Sequence, residues 1–176
     1  MSKVYFCSDF HLGHKGISRK FRPEFATDED HDQYMMDAWN TVVKKRDTVY
    51  CLGDMALSKE GLAKISTLQG TKHLIVGNHD VYKNEVTMKD LVEVYDRVSG
   101  DKGYKGLWLS HCPVHPNEVR SHRELNVHGH VHRATIDNSK YLNICPENNM
   151  WGSPMWSMDL IEMHEWLVSW YRDALA

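Results

Sequence analysis

Short apolar runs and longer periodic stretches alternate through the first half of the chain. Lys3–Ser8 (KVYFCS), Thr48–Leu52 (TVYCL) and Lys72–Val76 (KHLIV) are brief and almost wholly apolar, which predicts buried strands. Between the first two, Thr27–Arg46 places Tyr34, Ala38, Trp39, Val42 and Val43 at helical spacing, with Thr27 as cap and Asp30 three residues on. Between the second and third, Ser58 can cap a helix through Leu68, with Leu62, Ile65 and Leu68 on one face. Strand–helix–strand–helix–strand is the pattern of a mainly parallel sheet in an α/β protein. The rhythm then changes. Val92–Val98, Tyr104–Ser110, Leu125–His128 and Tyr141–Cys145 predict strands with short connections, and Ser157–Ala174 a last helix with Leu160, Ile161, Leu167, Val168 and Tyr171 inward.

The chain has 176 residues, which favours one domain over 1–176 and allows a substantial core. No repeat, low-complexity tract or linker interrupts it. The formal charge of −3 argues against a nucleic-acid coat or a membrane-surface protein. No apolar stretch approaches the roughly 20 residues of a membrane span. Met1–Ser8 runs straight into the first motif, so no cleavable leader is expected and a cytoplasmic location follows. Cys7, Cys51, Cys112 and Cys145 form no CxxC pair and read as reduced, buried strand residues. Four of the six tryptophans, Trp151, Trp156, Trp166 and Trp170, fall after residue 150. They offer either core packing or a surface for an oligomer.

The chemistry lies in five pieces: Asp9-Phe10-His11, Gly53-Asp54, Gly77-Asn78-His79-Asp80, His111, and Gly129-His130-Val131-His132. Asp9, Asp54, Asn78 and His111 each follow a predicted strand closely, and that carboxyl edge is where sites form in open α/β sheets. Residues two apart in an extended segment point the same way, so Asp9 with His11, and His130 with His132, can each reach one metal. Gly53, Gly77 and Gly129 precede ligands and permit tight turns there. Two carboxylates, an amide oxygen and four imidazoles suffice for two divalent ions, with Asp54 the natural bridge. Oxygen and imidazole without thiolate suit Mn, Fe, Zn, Co or Ni. Two such ions would bring the formal charge to about +1.

In this order the five pieces resemble the calcineurin-like metallophosphoesterase superfamily, over residues 4 to about 146. The small single-domain bacterial and phage members are the most similar, through Ser8-Asp9-Phe10-His11-Leu12-Gly13-His14 and His128-Gly129-His130-Val131-His132. The resemblance implies a four-layer αββα fold, two mixed β-sheets packed face to face and flanked by helices. It implies one metal on Asp9, His11, Asp54 and His132, and a second on Asp54, Asn78, His111 and His130. It further implies hydrolysis of a phosphoester by a hydroxide bridging the metals, with manganese the first candidate. His79, outside both ligand sets, would be the catalytic acid or would stabilise phosphoryl charge. Many members carry an acid or arginine just after Gly-Asp; here Met55 and Ala56 stand there, which points away from the protein phosphatases.

Several side chains are candidates for the surroundings of that site. His14, Arg22 and Arg123 are expected to contact substrate, with His14 alternatively fixing its loop. Asp80 and His128 are expected behind the ligands, and His79 is oriented by Asp80, by a water or by nothing. The basic stretch Gly13–Thr27, with Lys15, Arg19, Lys20 and Arg22, either closes over a phosphate or stays solvated; Pro113–Arg123 is the other loop. The expected activity is a phosphodiesterase on a nucleotide-type or other small diester. The alternatives are a phosphomonoesterase or nucleotide pyrophosphatase with the same metals, and a non-catalytic binding scaffold, which the presence of His79 disfavours. Long nucleic acid is an unexpected partner, because no extended basic, aromatic-laced stripe appears. His31, His73 and His164 read as ordinary.

Overall fold

A computed structural model describes residues 1–81, 85–119, 124–148, 153–159 and 161–162. The first sheet contains β1 (Val4–Cys7), β2 (Thr48–Cys51), β3 (Thr71–Ile75), β4 (Arg97–Ser99) and β9 (Trp156–Ser157), in the order β4-β3-β2-β1-β9. Its pairs are parallel except β1 with β9. The second sheet contains β5 (Asp101–Tyr104), β6 (Leu107–Ser110), β7 (Leu125–His128) and β8 (Tyr141–Asn143) in chain order. Only its first pair is antiparallel. The helices are α1 (Ile17–Lys20), α2 (Asp28–Val42), α3 (Lys59–Thr67) and α4 (Met88–Val94).

Strand alternation divides the core in two. Tyr5, Cys7, Val49, Cys51 and Leu74 pack with Met35, Trp39, Leu62, Ile65 and Leu91, joining the first sheet to α2, α3 and α4. From the same strands Phe6, Tyr50 and Ile75 point the other way, to Leu107, Leu109, Leu125, Val127 and Leu142 of the second sheet. The expected face-to-face sheets of an α/β fold are therefore present, with period-two alternation distributing their side chains.

The caps of α2 and α3 are as the sequence predicts: Thr27 accepts from the Asp30 N–H and Ser58 from the Gly61 N–H. The inward face of α2 is different. His31, Asp32, Met35 and Trp39 are buried, whereas Tyr34 is exposed. The four-residue steps from His31 to Met35 to Trp39 set the face, so two polar groups lie where an apolar stripe was expected. Val92–Val98 is not one strand. Thr87 and Asp90 close a reciprocal capping box that starts α4, Leu91 and Tyr95 are buried one turn apart, and Val92 faces solvent. The capped helix outweighs the β-branched composition, and only β4 remains extended. Tyr104–Ser110 is likewise broken. Lys105 (φ 47°) and Gly106 (φ 82°) are both left-handed and form a two-residue hairpin turn between β5 and β6.

Cys7, Cys51 and Cys145 are buried thiols, but Cys112 is exposed, beyond the end of β6. Most of the expected helix over Ser157–Ala174 lies outside the described residues. Met158, Asp159, Ile161 and Glu162 are helical, and Ile161 is buried in the inter-sheet core. Trp151, Trp166 and Trp170 also lie outside, while Trp156 is buried in β9. Among the described residues no helix is long and apolar enough to cross a membrane.

Candidate metal centre

All five motifs stand just beyond carboxyl ends of strands: Asp9 and His11 after β1, Asp54 after β2, Asn78 and His79 after β3, His111 after β6, His130 and His132 after β7. The two sheets bring these ends together through direct hydrogen bonds. The His130 N–H donates to Asp9 Oδ2 (3.0 Å), and His111 Nδ1 donates to the Leu52 carbonyl (2.8 Å). The loops after β1 and β2 run side by side, with Asp9 N on Gly53 O, His11 N on Asp54 O and Leu12 N on Met55 O, each at 3.0 Å.

The backbone here is not extended. Among the described residues, six non-glycine residues have left-handed φ, and five are Asp9 (54°), His11 (54°), Asp54 (52°), His130 (70°) and His132 (49°). Asp9 and His11 do converge, but through two left-handed residues rather than strand alternation. Such conformations cost of order 1–3 kcal/mol each and persist where surroundings over-determine them. The glycines matter by close approach: a Cβ on Gly77 would land on the Asp54 carboxylate, and one on Gly129 on Ser8 Oγ and Asp9 Oδ2.

Asp9 is fully buried and uses its oxygens unequally. Oδ2 accepts from Ser8 Oγ, from the His130 N–H and from Cys145 Sγ at 3.3 Å. Oδ1 has no hydrogen-bond partner among the described residues, and neither does either ring nitrogen of buried His11. His11 Nε2 lies 3.6 Å from Asp9 Oδ1, and His132 Nε2 lies 4.0 Å from it. Bonds of about 2.1 Å at tetrahedral angles set donors about 3.4 Å apart. These three residues therefore form one metal-sized cluster, with ligand atoms all within 4.8 Å.

A second cluster forms around His111. Its Nδ1 is committed to Leu52, so Nε2 faces Asn78 Oδ1 (2.9 Å) and Asp54 Oδ2 (3.4 Å). A lone pair meeting two acceptor oxygens requires a cation or a proton between them. Without metal the proton serves. Burial disfavours charge on His111, but Asp54 and Asp9 override it and raise its pKa to about 9. His130 stacks edge-on against His111 with ring centroids 5.0 Å apart. Asp9, Asp54 and His111 form a further close group, which links the two clusters. Orphaned buried donors and converging acceptors both fit divalent metal. Exposed Cys112 has its sulfur within 4.8 Å of His111 and His130 ligand atoms, a neighbour the sequence reading placed elsewhere.

His79 is half-buried beside these clusters. Its N–H donates to Asp54 Oδ1 (2.8 Å), and its ring centroid is 6.2 Å from that of His11. Asp80 is buried and accepts from the backbone N–H groups of Asp54, Gly77 and Met55, at 3.0, 2.7 and 3.1 Å. It clamps the loops after β2 and β3 rather than serving as a support for His79. Burial, with the Asp54 charge, outweighs those hydrogen bonds and raises its pKa to about 6. His128 is buried under Gly129, whose carbonyl lies 2.9 Å from Nδ1, and burial lowers its pKa. His14 stands next along a row of rings, 6.0 Å from His11, with a buried Nδ1 that has no hydrogen-bond partner among the described residues. Arg123 lies outside the described residues.

Arg22 is the main correction. Only 1% exposed, it does not face an approaching phosphate. Its guanidinium donates to Asp9 O (2.6 Å), Phe10 O (3.2 Å), His31 Nε2 (2.7 Å) and Glu147 Oε1 (2.9 Å). Of the basic loop, Lys15, Arg19 and Lys20 remain exposed. Glu147, which the sequence reading missed, also bonds His132 Nδ1 at 3.1 Å. Burial works to raise its carboxyl, but His132 and Arg22 hold it down at about 2. Glu147 stands beyond β8, so the strand-end rule that found the ligands could have reached it. The buried His31 read as ordinary belongs to the same set.

The comparisons with known proteins agree with this geometry. The calcineurin-like phosphoesterase superfamily domain matches residues 3–148. The gene 66 protein of Mycobacterium phage L5 is 33% identical over 77% of this chain and 80% of its own. The uncharacterized protein MJ1445 of Methanocaldococcus jannaschii is 31% identical over 81% of this chain and 77% of its own. The crystal structure of AQ665, a protein of unknown function from Aquifex aeolicus, superposes with a TM-score of 0.68 at 26% identity, covering 93% of this chain and 99% of that one. With its two sheets, its strand-end ligand loops and a family match over most of its length, the chain belongs to the calcineurin-like phosphoesterase superfamily.

Proposed function

We propose that this protein is a phosphodiesterase for a small, nucleotide-type diester, working with two divalent metals, manganese the first candidate. The observation that carries the reading is the set of uncommitted donors: Asp9 Oδ1 and both His11 nitrogens, buried without hydrogen-bond partners among the described residues. Asp9, His11, Asp54 and His132 would hold one ion; Asp54, Asn78, His111 and His130 the other. Divalent ions there would supply Lewis acidity and an activated water near neutral pH. The chain's own residues do the rest. Asp54 is fixed on both sides, its N–H by Asp80 and its Oδ1 by the His79 N–H, so its carboxylate would meet a metal without reorganising. The loops after β1 and β2, clamped together, hold the donors against reorganisation. His79 stands beside His11 to donate a proton to the departing alkoxide or to stabilise phosphoryl charge.

Charge favours the diester. A monoester brings an extra negative charge, and Arg22, the guanidinium expected to meet it, is consumed below the site. Comparing kcat/KM on bis(p-nitrophenyl) phosphate and p-nitrophenyl phosphate, with manganese, tests this. A diester preference of tenfold or more is expected. A monoester preference would move the assignment to a phosphomonoesterase or nucleotide pyrophosphatase.

A further inference from the structure

An ionic chain runs from the protein surface to a ligand histidine. Lys64 on α3 donates to Asp32 Oδ2 (2.8 Å), and Asp32 Oδ1 bonds His31 Nδ1 (2.9 Å). His31 Nε2 meets Arg22 (2.7 Å), Arg22 Nε meets Glu147 Oε1 (2.9 Å), and that oxygen meets His132 Nδ1 (3.1 Å). All but the ends are nearly inaccessible: Arg22, His31, Asp32 and Glu147 side chains are 1%, 0%, 6% and 4% exposed. A chain of this length with one internal break would leave a buried charge unpaired, so its members fix one another.

His132 needs such fixing. Its side chain is 42% exposed and its backbone is left-handed, so no strand sets its rotamer, and the ring contact is a stack on His11 at 5.3 Å, which leaves the direction of its nitrogens to a hydrogen bond. The bond to Glu147 does two things. It places the proton on Nδ1, because a carboxylate can only accept. It thereby leaves the Nε2 lone pair turned toward Asp9 Oδ1. The same Arg22 that anchors Glu147 also holds the carbonyls of Asp9 and Phe10, which flank the strained turn before His11. One guanidinium thus serves all three residues of that cluster.

We propose that Glu147, anchored by Arg22, is a positioning residue that orients His132 and sets the metal affinity of the Asp9–His11–His132 cluster. The inference rests on the two-metal reading above. Outer carboxylates of this kind typically contribute 10- to 100-fold in metal affinity.

The test is calorimetric titration of the full, chelator-stripped chain with manganese chloride, alongside melting of the metal-free forms. Glu147→Ala should weaken one of two manganese sites by about 10–100-fold. Glu147→Gln keeps an acceptor oxygen for both neighbours and should restore affinity to within about tenfold of wild type. In a His132→Ala background, Glu147→Ala should add less than about threefold, because its route to the metal is gone. Unchanged affinity in Glu147→Ala, or the same full loss in both backgrounds, overturns the proposal. The second of these would be accompanied by a lowered metal-free melting point shared by Glu147→Gln, the mark of a purely structural ion pair. Wild-type uptake of a single ion would overturn the two-metal reading alone, and the Glu147 comparison then applies to that ion.

Discussion

His79 and Arg22 were both candidates for direct work on the substrate, and their surroundings separate them. The His79 ring is half-buried beside His11, and its main chain is tied to Asp54, so the imidazole is placed and still reachable. In the proposed mechanism, removing it would take away general acid catalysis or charge stabilisation without touching a candidate ligand atom. His79→Ala should lower kcat by about 10²–10⁴-fold. Bound manganese, counted by atomic absorption after desalting, should not change. Turnover near wild type would remove His79 from the mechanism. Arg22 differs because its charge is spent inside the fold on two carbonyls, a histidine and a glutamate. Sequence distance explains why it was misread. A basic residue in a polar loop looks solvated, and its carboxylate partner lies 125 positions away. No local spacing announces a pair of that kind. The convergence of the candidate ligands was legible because their chemistry is written in short motifs at strand ends, where i to i+2 spacing and preceding glycines survive as local signals.

At the scale of elements, legibility followed the length and capping of each segment. β1, β2, β3 and β7 were readable as apolar runs, and α2 and α3 through the caps Thr27 and Ser58. β9 was missed because two residues cannot display a period, and its pairing with β1 is set by the fold. The segment holding His14 shows how an element can be built by hydrogen bonds with little regular structure. Asp28, at the start of α2, accepts from Gly16 N (2.5 Å), Ser18 N (3.0 Å) and Ser18 Oγ (2.6 Å), and Asp32 accepts from Gly13 N (2.9 Å). The hydrogen bonds from Ser18 and the Gly16 N–H lower the Asp28 pKa from 3.8 to about 2. A depressed carboxylate pKa adds stability that is complete above about pH 4 and lost as pH falls toward 2. The urea stability gap between wild type and Asp28→Asn should therefore be constant from pH 7 to 5. It should shrink between pH 4 and 2 as the wild-type carboxylate takes its proton. A gap that stays level through that interval would show the clamp to be a neutral contact. The protection factors of the Gly16 and Ser18 amides, corrected for the intrinsic exchange rate at each pH, should fall over the same interval.

At the scale of the whole molecule, the candidate metal centre is a joint between two sheets. Asp9, His11, Asp54 and Asn78 come from the first sheet, and His111, His130 and His132 from the second. The inter-sheet core beneath them is continuous and apolar, from Phe6 and Tyr50 to Leu109 and Val127, so the sheets pack without help from an ion. What an ion would change lies at the upper edge. There Asp9 and Asp54 stand within one close group with His111, two negative charges set against burial. They raise the pKa of His111 to about 9, and a divalent metal would replace the proton held there with a larger charge. Binding to the folded chain alone then adds RT ln(1 + [L]/Kd), about 2.7 kcal/mol at a hundred times Kd. For a chain of this size each kcal/mol moves the midpoint by about 2–4 °C, so saturating manganese should raise Tm by about 5–10 °C over the chelator-stripped protein. Scanning calorimetry at several manganese concentrations checks this, and the midpoint should keep climbing with the logarithm of free metal after turnover has saturated. Because the same pockets would be loaded, calcium or magnesium should move the midpoint less, as hard cations are poorly served by four imidazoles. A midpoint insensitive to manganese, at concentrations that support turnover, would mean that the ion joins the site only with substrate.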